Sequence, residues 1–263
     1  MPTSGRRGDA VTLDPGILAF AVIAIIVGST LQRVSGAGVG LVVAPTLALL
    51  LGPSIGVLAT NIVTIISATT LTVVRRREID WRRAGIVLAA AVPGALAGAL
   101  LVRELSAAWL QIIIGGVVLI ALAVTLARVR GEGRAHPAGI GVAGAIGGLF
   151  NTTAGIAAPA LVVFSRIDGW RQPGFGATLQ PIFLGMGALS VAAKLLLGAT
   201  GFAAAPPPWW TLLIAVGAVA VGVLLGRLAA RRASPELAAR LAMTIAALGG
   251  LVALVRGAAE LLG

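Results

Sequence analysis

The residues of this 263-residue chain best suited to hold a ligand are small or polar ones set inside apolar runs. Gly36, Gly38 and Gly40 alternate in GAGVGLVVAP, which ends at Pro45, and Asn151, Thr152, Thr153 and Gly155 lie in NTTAGIAAP, which ends at Pro159. Such glycines permit positive φ and close backbone approach; the competing reading is helix packing, since small residues also let membrane helices touch. A helix that restarts after them presents free N–H groups and the positive end of its dipole, a natural seat for an anion. Asn151, Thr152 and Thr153 would add side-chain donors. A second set comprises Thr60 with Asn61, and Thr178 with Gln180. Here the competing reading is a bond between helices, or from Thr back to its own helix. Pro45, Pro159 and Pro181 are expected to mark structural breaks, Pro181 by loosening its helix. Lys194, the only lysine, either snorkels to an interface or lines an anion path. Arg33 is an end charge if the segment before it crosses the membrane, and an anion partner if that segment is re-entrant.

Other chemistries are excluded by what is missing. Without cysteine there is no disulfide, thiolate nucleophile, zinc–thiolate or iron–sulfur site, and the single histidine, His136, rules out a histidine metal cluster. The acidic residues are Asp9, Asp14, Glu78, Asp80, Glu104, Glu132, Asp168, Glu236 and Glu260; each lies in a polar connection or near a terminus. No apolar run holds a Ser–His pair or an aspartate dyad. No catalytic residue, metal or cofactor is therefore expected, and the chain reads as a non-enzyme. A cation carrier would need fixed negative charge in the membrane interior. An anionic or neutral substrate is the better fit.

The elements that must position these residues are long apolar runs. The chain is 58% hydrophobic and 11% charged with a mean hydropathy of +1.03, against roughly 25% charged residues in soluble domains. Apolar segments cover about 16–34, 38–51, 54–74, 84–102, 109–128, 139–150, 152–165, 175–197, 209–230 and 238–262. This predicts an all-α polytopic membrane protein with 8–10 membrane segments. No A-x-A-like cleavage site follows the first segment, which reads as a membrane helix after a polar tail, 1–15. The net charge of +11 reads as topology rather than nucleic-acid binding. Basic connections at 75–83, 128–136 and 227–240 are expected in the cytoplasm, and the uncharged Gly198–Pro208 connection outside. Trp81, Trp109, Trp170, Trp209 and Trp210 lie at segment ends, as interfacial anchors facing lipid do.

The segments repeat. At an offset of 128 residues Trp81 meets Trp209, Gly94 meets Gly222 and Gly98 meets Gly226; Pro45 pairs with Pro159 and Ala59-Thr60 with Ala177-Thr178. Two homologous five-segment halves are predicted, 16–128 and 139–263, joined by a cytoplasmic linker over 129–138. Equivalent connections carry opposite charge character, so the halves are expected to form an inverted repeat, with the first pair of segments in each half short, broken or re-entrant. In inverted-repeat carriers such interrupted pairs hold the substrate near the bilayer midplane.

GAGVG…P at Gly36–Pro45, its reduced copy ending at Pro159, the basic turn with Ile79-Asp80-Trp81, and G-x-x-x-G at Gly94/Gly98 resemble the sulfite exporter TauE/SafE family, also described as toluenesulfonate uptake permeases. The resemblance spans about residues 16–262. It implies a multi-pass carrier of the bacterial inner membrane whose substrate is sulfite, a sulfonate or a related small anion. The second half reads LFNTTAGIAAP, with polar residues where the family has glycines, so the substrate is open to differ from sulfite. Alternating-access transport in the export direction is the leading expectation. A passive anion channel and a non-transport assembly partner are the alternatives, and a homodimer stays open.

Overall fold

The structure is a computed structural model and describes residues 14–36, 38–126, 138–170, 174–201, 208–232 and 234–262. Expectations placed on the tail before Asp14, on the linker and basic connection between 127 and 137, and on 202–207 lie outside those residues. Among the described residues the chain forms ten α-helices and one 3₁₀ turn, Arg76–Glu78. The helices are α1 (Pro15–Ser35), α2 (Val39–Leu51), α3 (Pro53–Arg75), α4 (Trp81–Glu104), α5 (Ala107–Leu126), α6 (Ala138–Ala154), α7 (Ala158–Asp168), α8 (Gly174–Leu196), α9 (Trp210–Ala229) and α10 (Pro235–Leu262).

Helix limits follow from local chemistry. Asp14 opens α1 by accepting the N–H groups of Gly16 and Ile17 at 2.8 and 3.1 Å, with Pro15 in the first turn. Asp80 does the same for α4, accepting the Arg83 N–H at 3.0 Å. Seven helices (α1, α3, α4, α5, α8, α9 and α10) are long and apolar enough to cross a bilayer, which makes this a multi-pass membrane protein. The other three are short: α2 has 13 residues, α6 17 and α7 11, against about 20 for a full span. The first pair is thus one full-length helix and one short one, and the second pair is short in both members.

Close packing without a large apolar driving force needs small residues at the crossings. Gly94, Gly98, Gly144 and Gly148 bring α4 and α6 into backbone contact, and Gly222 and Gly226 do so for α9 against α1. Gly115, Gly250 and Gly257 serve the α5–α10 crossing, and Gly187 meets Asn61 and Ile65 where α8 crosses α3. Those contacts set directions. α4, α6 and α8 run the same way, α1 and α9 run together, and α3 and α5 oppose α8 and α10. One end of the bundle therefore collects Arg33, Arg75–Arg77, Arg83, Arg166, Arg227 and Arg240. At that end Arg83 pairs with Asp168 at 3.0 Å and lies over the Trp170 ring at 4.6 Å, and the Asp80 N–H donates to Thr178 Oγ1 at 2.9 Å. The outer face is studded with exposed Leu96, Leu100, Leu224, Leu248 and Val255, the surface that lipid covers.

Candidate functional site

Two interruptions of the backbone build the site. At the first, α1 stops at Gly36, whose φ of +86° only glycine adopts readily, and whose N–H donates to the Gln32 carbonyl at 2.8 Å. Gly38 is extended; a Cβ there would fall 2.6 Å from Gln32 N and 2.9 Å from the Gly28 carbonyl oxygen. α2 then begins without a side-chain cap, and its first helical bond is from Val42 N–H to Gly38 at 2.9 Å. Val39, Gly40 and Leu41 are left with amides that have no intrahelical acceptor. At the second interruption α6 closes on Gly155, with φ +72°, and its N–H donates to Asn151 at 2.9 Å. α7 restarts after Ala157, also without a side-chain cap, with Pro159 in its first turn.

The two interruptions touch. A Cβ on Gly40 would lie 2.6 Å from the Gly155 carbonyl oxygen. Around this contact is a small, partly open cavity of about 20 Å³, room for roughly one water molecule, lined by the first turn of α2, by Gly155 to Ala158, and by Gln32, Thr64, Asn151 and Phe183.

Buried amides and hydroxyls surround it. Ser67 Oγ donates to Gln32 Oε1 at 3.0 Å, Gln32 Nε2 to Gln180 Oε1 at 3.0 Å, and Gln180 Nε2 to the Gly36 and Gly176 carbonyls at 3.1 Å each. A second knot joins three helices: Asn61 Nδ2 donates to Ser190 Oγ at 2.8 Å and to the Asn151 carbonyl at 3.3 Å, and Asn151 Nδ2 returns to Asn61 Oδ1 at 2.8 Å. Thr64 Oγ1, in the cavity wall, is buried with no hydrogen-bond partner among the described residues. No acidic side chain lines this cavity.

The expected residues divide accordingly. Gly38, Gly40, Asn151 and Gly155 line the cavity, while Gly36, Asn61 and Gln180 stand behind it, holding its walls. Thr60 and Thr153 bond back to Gly56 and Leu149 of their own helices at 2.8 and 2.9 Å. Thr178 ties α8 to the basic turn and lies away from the cavity. Arg33 ends a helix of 21 residues with its stem against Gly226, the geometry of an end charge. Lys194 and Thr152 are fully buried, and neither Nζ nor Oγ1 finds a partner among the described residues.

Two expectations need correction. Asn151 to Thr153 belong to the last turn of α6, and the interruption falls at Gly155–Ala157. Pro45 and Pro181 lie inside helices that continue through them, and of the three prolines only Pro159 stands beside a break. The interruptions are made by glycine. The reading from sequence also passed over Gln32, Thr64, Ser67 and Ser190. An amide or hydroxyl inside an apolar run was the available signal.

Two interrupted helix pairs thus meet at a small, mostly apolar and uncharged cavity inside a multi-pass bundle. A family model described as sulfite exporter TauE/SafE matches residues 20–253, and the chain belongs to that family. No curated protein and no solved structure matches it. Membership implies membrane transport of the sulfite or anion exporter type, for which a small anionic substrate and surrounding lipid are the fitting partners.

Proposed function

We propose that this chain is a secondary transporter that exports sulfite, an organosulfonate or a related small oxyanion across the bacterial inner membrane by alternating access. One observation carries this reading: the Gly40–Gly155 contact, which brings two uncapped helix starts and the free Thr64 hydroxyl to one cavity. Helix N-termini and neutral donors favour negative charge without trapping it as a fixed cation would. The halves are an inverted repeat related by a two-fold axis in the membrane plane; in support, α1 lies along α9 as α6 lies along α4. The arginine-rich end faces the cytoplasm by the positive-inside rule. An inside-negative potential then favours outward movement of a monovalent anion by about 2.3 kcal/mol per 100 mV, so export needs no intramembrane carboxylate.

Proteoliposomes loaded with sulfite test the proposal. Saturable uptake of labelled sulfite, driven by counterflow and competed by toluenesulfonate, is the expected result. Flux that rises linearly with concentration and shows no counterflow would assign a channel instead. No flux of sulfite, sulfonate or acetate would reject anion transport.

A further inference from the structure

A second cavity, of about 100 Å³, lies where the end of α1 and the starts of α2 and α10 meet α5 and α7. Protein interiors leave few voids larger than a water molecule, and this one is several times the size of the glycine-lined cavity. Its walls are apolar: Leu41, Leu122, Val162 and Met243, with small residues between them. The one hydroxyl among them, on Ser35, is turned back to the Leu31 carbonyl at 2.8 Å. A resident water needs two to four polar partners, so such a space stays dry and takes apolar groups. Leu41 and Ala158 line both cavities, and they stand in the first turns of α2 and α7, the two helix starts without side-chain caps. The surroundings are cationic. Arg166 follows Val162 by one turn of α7 and donates to the Val124 carbonyl of α5 at 2.8 Å, and Arg240 follows Ala239 on α10.

We propose that this cavity seats the apolar substituent of the substrate, so that the transported anion is an organic one. Its oxyanion head lies at the starts of α2 and α7, and a compact tail of about four carbons lies between α5, α7 and α10. The tail's size follows from comparison with an apolar cavity of about 150 Å³, which holds benzene. The inference deepens the anion-transport reading and rests on it for the place of the head group. An oxyanion head is larger than the one-water space beside Gly40. Leu41 and Ala158 are the partition, and a swing of the Leu41 side chain joins the two spaces into one that is polar at one end and apolar at the other. A lipid acyl chain is far longer than this cavity, whereas a short tail fills it.

Isothermal titration of the full chain in phosphatidylcholine nanodiscs tests this apart from flux, with sulfite and the alkanesulfonates from methane- to dodecanesulfonate as probes. Affinity is expected to rise about fourfold per carbon, the worth of one buried methylene, up to about butanesulfonate and no further. Ala239→Leu, which fills the cavity, should bring the ratio of butanesulfonate to sulfite affinity down to about one. Met243→Ala, which enlarges it, should move the optimum two or three carbons longer; if the leucine variant fails to fold, this one carries the test. Equal affinity for sulfite and every alkanesulfonate would overturn the tail site while leaving anion transport intact. Affinity that climbs through dodecanesulfonate and ignores both substitutions would give the cavity to lipid-like chains and overturn it too. No binding or flux of any of these anions would reject the tail site and the transport reading together. A chain-length optimum in a protein that moves no anion would support the tail site and reject the transport reading.

Discussion

Gln180 is the residue on which both the cavity wall and the first interruption depend. It accepts from Gln32 and donates to the Gly36 carbonyl, so Gln180→Leu strands two buried polar groups at once. Interhelical bonds in membranes average about 0.6 kcal/mol, and an unpaired buried group adds a desolvation cost, so the loss should be about 1–2 kcal/mol in a detergent unfolding titration. Gly40→Ala acts differently. Its Cβ has backbone rather than a flexible side chain to displace, so we expect about 1–3 kcal/mol of overpacking and at least a tenfold loss of sulfite flux, read in proteoliposomes. At this scale the sequence was partly legible. Gly38, Gly40, Gly155 and Asn151 drew notice as glycines in register with a polar copy, a pattern that helix packing also produces, and the fold brings them to one cavity. Gln32 was not, since it stands beside Arg33 at what looks like the polar end of a segment, and only the fold turns it inward. The burial of Lys194 was equally hidden: two residues from the end of α8, it has ample reach to snorkel, yet its neighbours cover it.

Helices and their crossings carry the next set of consequences. α4 and α6 approach so closely at Gly94 that a Cβ would overlap the Ala145 carbonyl. Gly94→Leu must force the pair apart, and size-exclusion chromatography is expected to show loss of monodisperse protein. The Arg83–Asp168 pair ties the start of α4 to the end of α7, but both side chains are partly exposed, at 37% and 20%. A double-mutant cycle with Arg83→Ala and Asp168→Ala should therefore return a coupling below about 1 kcal/mol. The helices themselves were readable to within a few residues, because charge and turn residues punctuate apolar runs of membrane length. The break in the second half was misplaced by about one turn. Asn and Thr favour turns, but in membrane helices their side chains bond to neighbouring helices or back to their own turn, as Asn151 and Thr153 do. Proline misled for a related reason: α2 and α8 run through Pro45 and Pro181, since neighbouring groups can satisfy what a proline frees.

On the scale of the whole molecule, the run of α10 places Leu262 at the end opposite the Arg75–Arg83 turn, where Arg256 also reaches the Leu49 carbonyl at 3.3 Å. With the basic end in the cytoplasm, alkaline phosphatase fused after the last residue should be active and a fluorescent protein fused there dark; the reverse pattern would invert the assigned orientation. That the chain is a set of apolar helices of membrane length followed from its composition and the length of its apolar runs. How α6 and α7 return within it did not, because 17 and 11 residues fit a hairpin and two abbreviated crossings equally well until their packing partners are known. The touching of Gly40 and Gly155 also bears on how such a molecule can move. On the alternating-access reading proposed above, two chain reversals abutting backbone to backbone have no side chain to slide on and would act as a fulcrum about which the halves tilt. A wedge as small as a methyl group placed there should jam the hinge in a single posture, turning a transport defect into a means of trapping one conformer for study.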